Sequence, residues 1–159
     1  MEIQERPVRH YAGVRRTVTA EAFADIADRI PVILGWLAER GVAPADAPFL
    51  KYETIDMPDA FEVVAGVPVA APVEGDGEVF AASLPAGRYA VHRHHGHPDG
   101  LVAATAELIE EGLGEGLAWD MDQDGDGQHW AARLEIFRSH PLEVPDPADW
   151  VTDVEIRLA

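Results

Sequence analysis

Two stretches of this chain read alike, and their recurrence restricts the fold more than any other feature. RHYAGVRRTV begins at Arg9 and GRYAVHRHHG at Gly87, so Tyr11 matches Tyr89, Ala12 matches Ala90 and Arg15 matches Arg93. Each stretch reads as a strand, and a helical stretch follows each. After the first comes TAEAFADIADRIPVILGWLAERG. Thr19 suits an N-cap and Glu21 the first turn. Phe23, Ile26, Ile30, Ile33 or Leu34, and Leu37 form an apolar stripe at helical spacing. Gly41 is a C-terminal stop, and Pro31 is expected to kink the helix or divide it in two. After the second comes HPDGLVAATAELIEEGLGEG, with Pro98 at its start. Leu101, Ala104, Leu108 and Ile109 make its stripe, and Gly112 or Gly114 ends it.

Strand material follows each helix. In the first half it is PFLKYETI and DAFEVVAGVPV, joined by the turn-like Met57-Pro58-Asp59. In the second half it is a short segment around Trp119 and then WAARLEIFRS. GEVFAASLPAG bridges the halves and WVTDVEIRL closes the chain. The pattern predicts one α+β domain over residues 1–159, with pseudo-repeats of about 1–72 and 73–159. Each repeat is a strand–helix–strand–strand unit. A curved antiparallel sheet would carry both main helices on one side. The other, concave side would be left as a ligand cleft between the halves.

Composition narrows the partners. Acidic residues number 29 against 12 basic ones, a formal net charge of −17. Neutralising a phosphate backbone needs the opposite balance, so direct nucleic-acid binding is not expected. Repulsion would equally keep the chain off anionic membranes. The same charge serves solubility, and it would raise the local concentration of cationic ligands. There is no cysteine, hence no disulfide framework and no thiolate chemistry. MEIQERPVRHY lacks the apolar core of a signal peptide, and no apolar run approaches the length of a membrane span. The expected location is cytoplasmic.

Several motifs invite chemistry and fall short of it. Asp122-x-Asp124-x-Asp126-Gly127 copies the opening of a calcium loop. The twelfth position, which should be a bidentate Glu, is Arg133, and a strand pattern follows instead of a helix. The run reads better as a hairpin turn on Asp-Gly steps. His92 and His94 share a strand face, as the first two ligands of a metal site would, but no third ligand follows at short spacing. Neither Ser83 nor Ser139 sits in a nucleophile elbow, and there is no phosphate-binding glycine motif. No metal and no cofactor are expected.

The residue that carries a functional expectation is Glu135. From Trp130 to Ser139 the sequence alternates with period two. Trp130, Ala132, Leu134 and Ile136 form one face, which looks suited to packing on a helix. Ala131, Arg133, Glu135 and Phe137 form the other. A carboxylate beside an aromatic ring suits a lipophilic cation, because rings supply stacking area and the acid supplies charge selection. Trp36, Tyr52, Trp119, Trp130, Phe137 and Trp150 all lie near element ends or on strands, where most aromatics are simply core. Glu135 itself has plainer uses: an ion pair with Arg133 or Arg93, or a solvated face.

The tail LEIFRSHPLEVPDPADWVTDVEIRL resembles the C-terminal signature of the GyrI-like small-molecule-binding domain, also called the AraC-type effector-binding domain. LGWLAERGVAPADAPFLKY, FEVVAGVPV and LPAGRYAVHRHHG support the resemblance, which covers nearly the whole chain. It implies a duplicated fold with a cleft for bulky, planar, often cationic hydrophobic compounds. The family's pocket acid falls on Glu135, and its pocket aromatics on Tyr52, Phe137 and Trp150, with Trp36 nearby. In regulators such as BmrR the domain follows a DNA-binding helix-turn-helix; here the signature fills the chain, which suggests a stand-alone member. His92 and His94 have no counterpart in the family pattern.

Three functions follow as expectations. The leading one is sensing or sequestration of hydrophobic, cationic, drug-like compounds, with Glu135 meeting the charge. The second is hydrolysis of cyclopropanoid compounds in the same pocket, with Glu135 as general base or acid and Tyr52 or Tyr89 on the substrate carbonyl. The third is a protein partner, in the manner of gyrase inhibitors.

Overall fold

Long runs of β-branched and small residues in the middle of the chain dictate a central sheet. The computed structural model describes residues 1–19, 24–56, 60–140 and 142–159. Thr19 lies at the edge of a described segment, while Glu21, Phe23 and the Met57-Pro58-Asp59 turn lie outside the described residues. The elements run β1 (Glu2–Arg6), β2 (Arg9–Val18), α1 (Ala24–Ala27), α2 (Arg29–Glu39), β3 (Phe49–Asp56), β4 (Ala60–Val69), β5 (Phe80–Leu84) and β6 (Gly87–His95). They continue with α3 (Leu101–Gly114), β7 (Met121–Asp124), β8 (Gly127–Trp130), β9 (Arg133–Phe137) and β10 (Val151–Arg157). The α+β class is as the sequence implied.

The helix stripes land on the core. Ile26, Ile33 and Leu37 are buried, and Ile30 and Leu34 pack beside them. Leu101, Ala104 and Leu108 do the same for α3. The first helical stretch divides at Asp28, three residues before Pro31. Pro31 falls in the first turn of α2, where its missing N–H has no intrahelical partner to lose. Both helices end in one motif. At α2, Gly41 (φ 70°) and Val42 donate to the carbonyls of Ala38 and Leu37. At α3, Gly116 (φ 80°) and Leu117 donate to Leu113 and Gly112. A left-handed residue closes each helix, a conformation that glycine adopts without strain.

The main sheet has the order β1-β6-β10-β9-β3-β4-β2-β5, with the β7–β8 hairpin attached at β3. The strand pairs are antiparallel. β9 and β3 meet at the centre, with β10 and β6 on one side and β4 and β2 on the other. The outermost strands are exchanged. β1 lies beside β6, and β5 lies beside β2. The acidic run forms the expected hairpin, in which Asp124 accepts from the Asp126 N–H at its tip.

One core cluster joins α1, α2 and α3 to Val14, Val63, Ala65, Val67, Ala90, Val154 and Ile156, so the helices share one face of the sheet. A second cluster (Tyr11, Phe49, Val64, Leu84, Leu134, Ile136) belongs to the opposite face. There Arg9 of β2 reaches Glu155 of β10 at 3.2 Å, across three intervening strands. The sheet therefore curls strongly away from the helices. This corrects two expectations. The concave side is filled by apolar side chains and ion pairs instead of being left as a cleft. Leu134 and Ile136 pack there against other strands and not on a helix.

Candidate functional site

Curling away from the helices spreads them apart. α2 packs mainly on β4 and β2, and α3 on β6. The central strands β9 and β3 lie between these two footings. Glu135 occupies the middle of β9, opposite Leu50 on β3 and Val154 on β10. Those neighbours belong to the helix-side core, which places the Glu135 side chain on that face, between the helices.

Tyr52 approaches from β3. Its hydroxyl donates a close hydrogen bond to Glu135 Oε1, so the contact ties β3 to β9. Phe137 follows on β9, partly buried against the same cluster. Burial pushes the Glu135 carboxyl above its ordinary pKa, while the Tyr52 hydrogen bond, Arg133 and His94 act in the opposite direction. Burial, with Glu135 next to it, pushes the Tyr52 phenol well up. Glu135 forms no ion pair among the described residues; Arg93 instead grips Asp153 on the other face at 2.8 Å. Glu135 is thus a half-buried acid held by a phenol.

Arg133 and Trp130 complete this floor. β8 and β9 are separate strands, broken at Ala131 and Ala132. The break resets the alternation, so Trp130 joins the helix-side cluster while Leu134 and Ile136 join the other. Reading 130–139 as one uninterrupted strand put Trp130 on the face opposite Glu135, whereas the two share the helix side. The guanidinium of Arg133 lies 4.7 Å from the centre of the Trp130 ring and 5.9 Å from that of Tyr52. Sequence periodicity missed this pairing, because nothing in two adjacent alanines signals a break in register.

The remaining expected residues are more distant in role. Trp36 packs on the helix-side cluster with Arg40 stacked 3.7 Å over its ring, and its indole N–H is buried without an acceptor among the described residues. Trp150 precedes β10 and donates its indole N–H to the Val144 carbonyl at 2.6 Å. No hydrogen bond or ring stacking joins either tryptophan to Glu135 among the described residues. Tyr89 lies on the concave face, with its hydroxyl bonded to the Pro85 carbonyl at 2.7 Å and Arg9 stacked on its ring. It cannot serve a substrate beside Glu135.

His94 sits on the helix face near the start of α3, its Nε2 3.1 Å from the His97 carbonyl. No group of three or more metal-ligating side chains occurs among the described residues. Two hollows lie elsewhere, one of ≈ 280 Å³ at the β7–β8 hairpin and one of ≈ 490 Å³ over β1 and β6, and Glu135 lines neither.

The sequence profile of the GyrI-like small molecule binding domain matches residues 1–159. The chain belongs to this family. No curated protein matches it. Its fold is similar to part of EcmrR, seen in a complex with DNA: TM-score 0.79 at 17% identity, over 99% of this chain and 56% of that one. The GyrI-like chain thus spans little more than half of EcmrR. The isolated EcmrR C-terminal domain gives TM-score 0.75 at 16% identity, with 99% and 96% covered. SAV2435 bound to tetraphenylphosphonium gives 0.64 at 11%, with 99% and 93% covered. The chain is therefore a small-molecule-binding domain of the GyrI-like family with a fold similar to the EcmrR C-terminal domain. No helix among its described residues is long and apolar enough to cross a membrane.

Proposed function

We propose that the floor between the helices binds bulky, planar, hydrophobic compounds that carry positive charge, for sensing or sequestration. One observation carries this reading: a half-buried carboxyl on the helix face, with Tyr52 bonded to it and Arg133 on the same strand face, is held by a phenol and by no salt bridge among the described residues. A buried acid without an ion pair favours its neutral form until a cation arrives. Aromatic rings then supply contact area and cation–π attraction. Tetraphenylphosphonium on SAV2435 supports the choice of ligand class. Trp36 and Trp150 would border the ligand, Trp36 from α2 and Trp150 from the mouth of β10.

Tetraphenylphosphonium binding, followed by tryptophan fluorescence quenching, tests the assignment. Glu135→Gln is expected to weaken it about tenfold, the loss of one charged partner at a half-buried site. Equal affinity in the variant would reject charge recognition by Glu135.

The Tyr52–Glu135 contact favours a second reading. An acid with a raised pKa beside a phenol suits proton transfer to a ring-opening substrate. Incubation with a duocarmycin-like compound would then yield a water adduct by mass spectrometry. Intact compound with binding retained returns the first reading.

A further inference from the structure

Arg133 stands two residues before Glu135 on β9 and faces the same way. Arg6, Arg9, Arg15, Arg93, Arg138 and Arg157 are each held by a carboxylate. Arg133 differs: no hydrogen bond or ion pair engages its guanidinium among the described residues, and its contacts are the Trp130 and Tyr52 rings. A guanidinium is a planar fork of five N–H donors with no acceptor of its own. Rings at 4.7 and 5.9 Å hold it by stacking, which leaves its donating edge without a partner. Burial also disfavours its charged form, a cost that an acceptor would offset.

Successive same-face residues on a strand stand about 7 Å apart. The floor between the helices therefore carries a guanidinium and a carboxyl side by side, with the Trp130 and Tyr52 rings against the guanidinium. A compound whose only polar feature is a positive charge meets Glu135 but also meets the like charge of Arg133. A compound that adds an anionic acceptor satisfies both. We infer that this site selects amphoteric aromatic compounds, which present a carboxylate to Arg133 and a positively charged group to Glu135, over aromatic compounds bearing positive charge alone. The inference rests on the proposed binding site and names its ligand class more closely.

Two dyes separate the cases. Rhodamine 110 and rhodamine 123 share one planar cationic ring system; the first bears a free carboxylate and the second its methyl ester. Fluorescence anisotropy with the whole chain should show rhodamine 110 binding about tenfold tighter, the worth of one charge-assisted hydrogen bond. Arg133→Gln should bring the two dyes to parity, and Arg133→Lys, which keeps a donor and a charge, should retain part of the preference. Should Arg133→Gln fail to fold by circular dichroism, the wild-type ratio and the Lys variant decide. Equal affinities or a preference for rhodamine 123, with both weakened by Glu135→Gln, would overturn the inference and leave the binding site standing. No binding of either dye would overturn both.

Discussion

At the scale of single residues, Glu135 and Glu155 show how one side-chain type takes two roles in one sheet. Glu155 is fully buried on the concave face between Arg6 and Arg9, which hold it by three hydrogen bonds of 3.2 to 3.3 Å. It is a tie across the curl. Glu135 has one phenol and no cation within ion-pair distance among the described residues. Its folded pKa lies above the ordinary glutamate value, so the folded state holds its proton longer than the unfolded chain does. The stability this contributes is present below the ordinary value and is lost as pH rises through the raised one. Urea titrations across that window should show the wild type losing stability relative to Glu135→Gln as pH rises. Parallel curves would mean that Glu135 is no harder to ionise in the fold than outside it. The sequence singled out Glu135 because an acid between an arginine and a phenylalanine on a strand is unusual. It could not show that Arg133 would avoid its neighbouring acid and settle between two rings.

At the scale of elements, the helices were legible because their stripes face a single core, and Gly41 as the stop of α2 because left-handed residues favour glycine; at α3 the left-handed stop is Gly116 and not the expected Gly112 or Gly114. The edge strands were not. β1 is EIQER, whose charges hide the strand, because an edge needs little apolar surface and its Arg6 serves a partner on β10. The broken register at Ala131–Ala132 was hidden for a different reason: a kink is set by what pairs with it, and here Ala131 donates to Asp120 while Ala132 accepts from Arg157. Close packing between strands leaves a sharper mark. Gly66 of β4 lies opposite Phe49 of β3, and a Cβ there would stand 2.4 Å from the phenyl ring. Gly66→Ala is expected to cost about 1–3 kcal/mol in chemical denaturation. Adding Phe49→Leu should cost less than the sum of the two changes, since the shorter side chain vacates the contact. A neutral Gly66→Ala would show that the ring can shift freely.

At the scale of the whole molecule, 17 excess negative charges repel one another through a fold of 159 residues. Raising salt from about 10 mM to about 150 mM shortens the screening length from roughly 30 to 8 Å. The melting temperature should rise over that range, because relief of the general repulsion outweighs the weakening of exposed ion pairs. A fall would mean that the Arg–carboxylate pairs dominate. Two halves, residues 1–72 and 73–159, remain our proposal for the molecule's construction, and the order of strands about β9 and β3 supports it. The exchange of β1 and β5 also fixes an order in time. Glu2 can find its place only when Val91 has been made, and Leu50, which pairs with Ala65 on β4, gains its second neighbour only when Glu135 has. Pairings between such distant parts of a chain bring a high loop-closure cost before any contact repays it, so refolding should take milliseconds to seconds. Stopped-flow fluorescence would show it, and a microsecond phase carrying the full amplitude would contradict it. In a growing chain β1 has no partner until β6 emerges, which leaves its edge open to other chains for that interval.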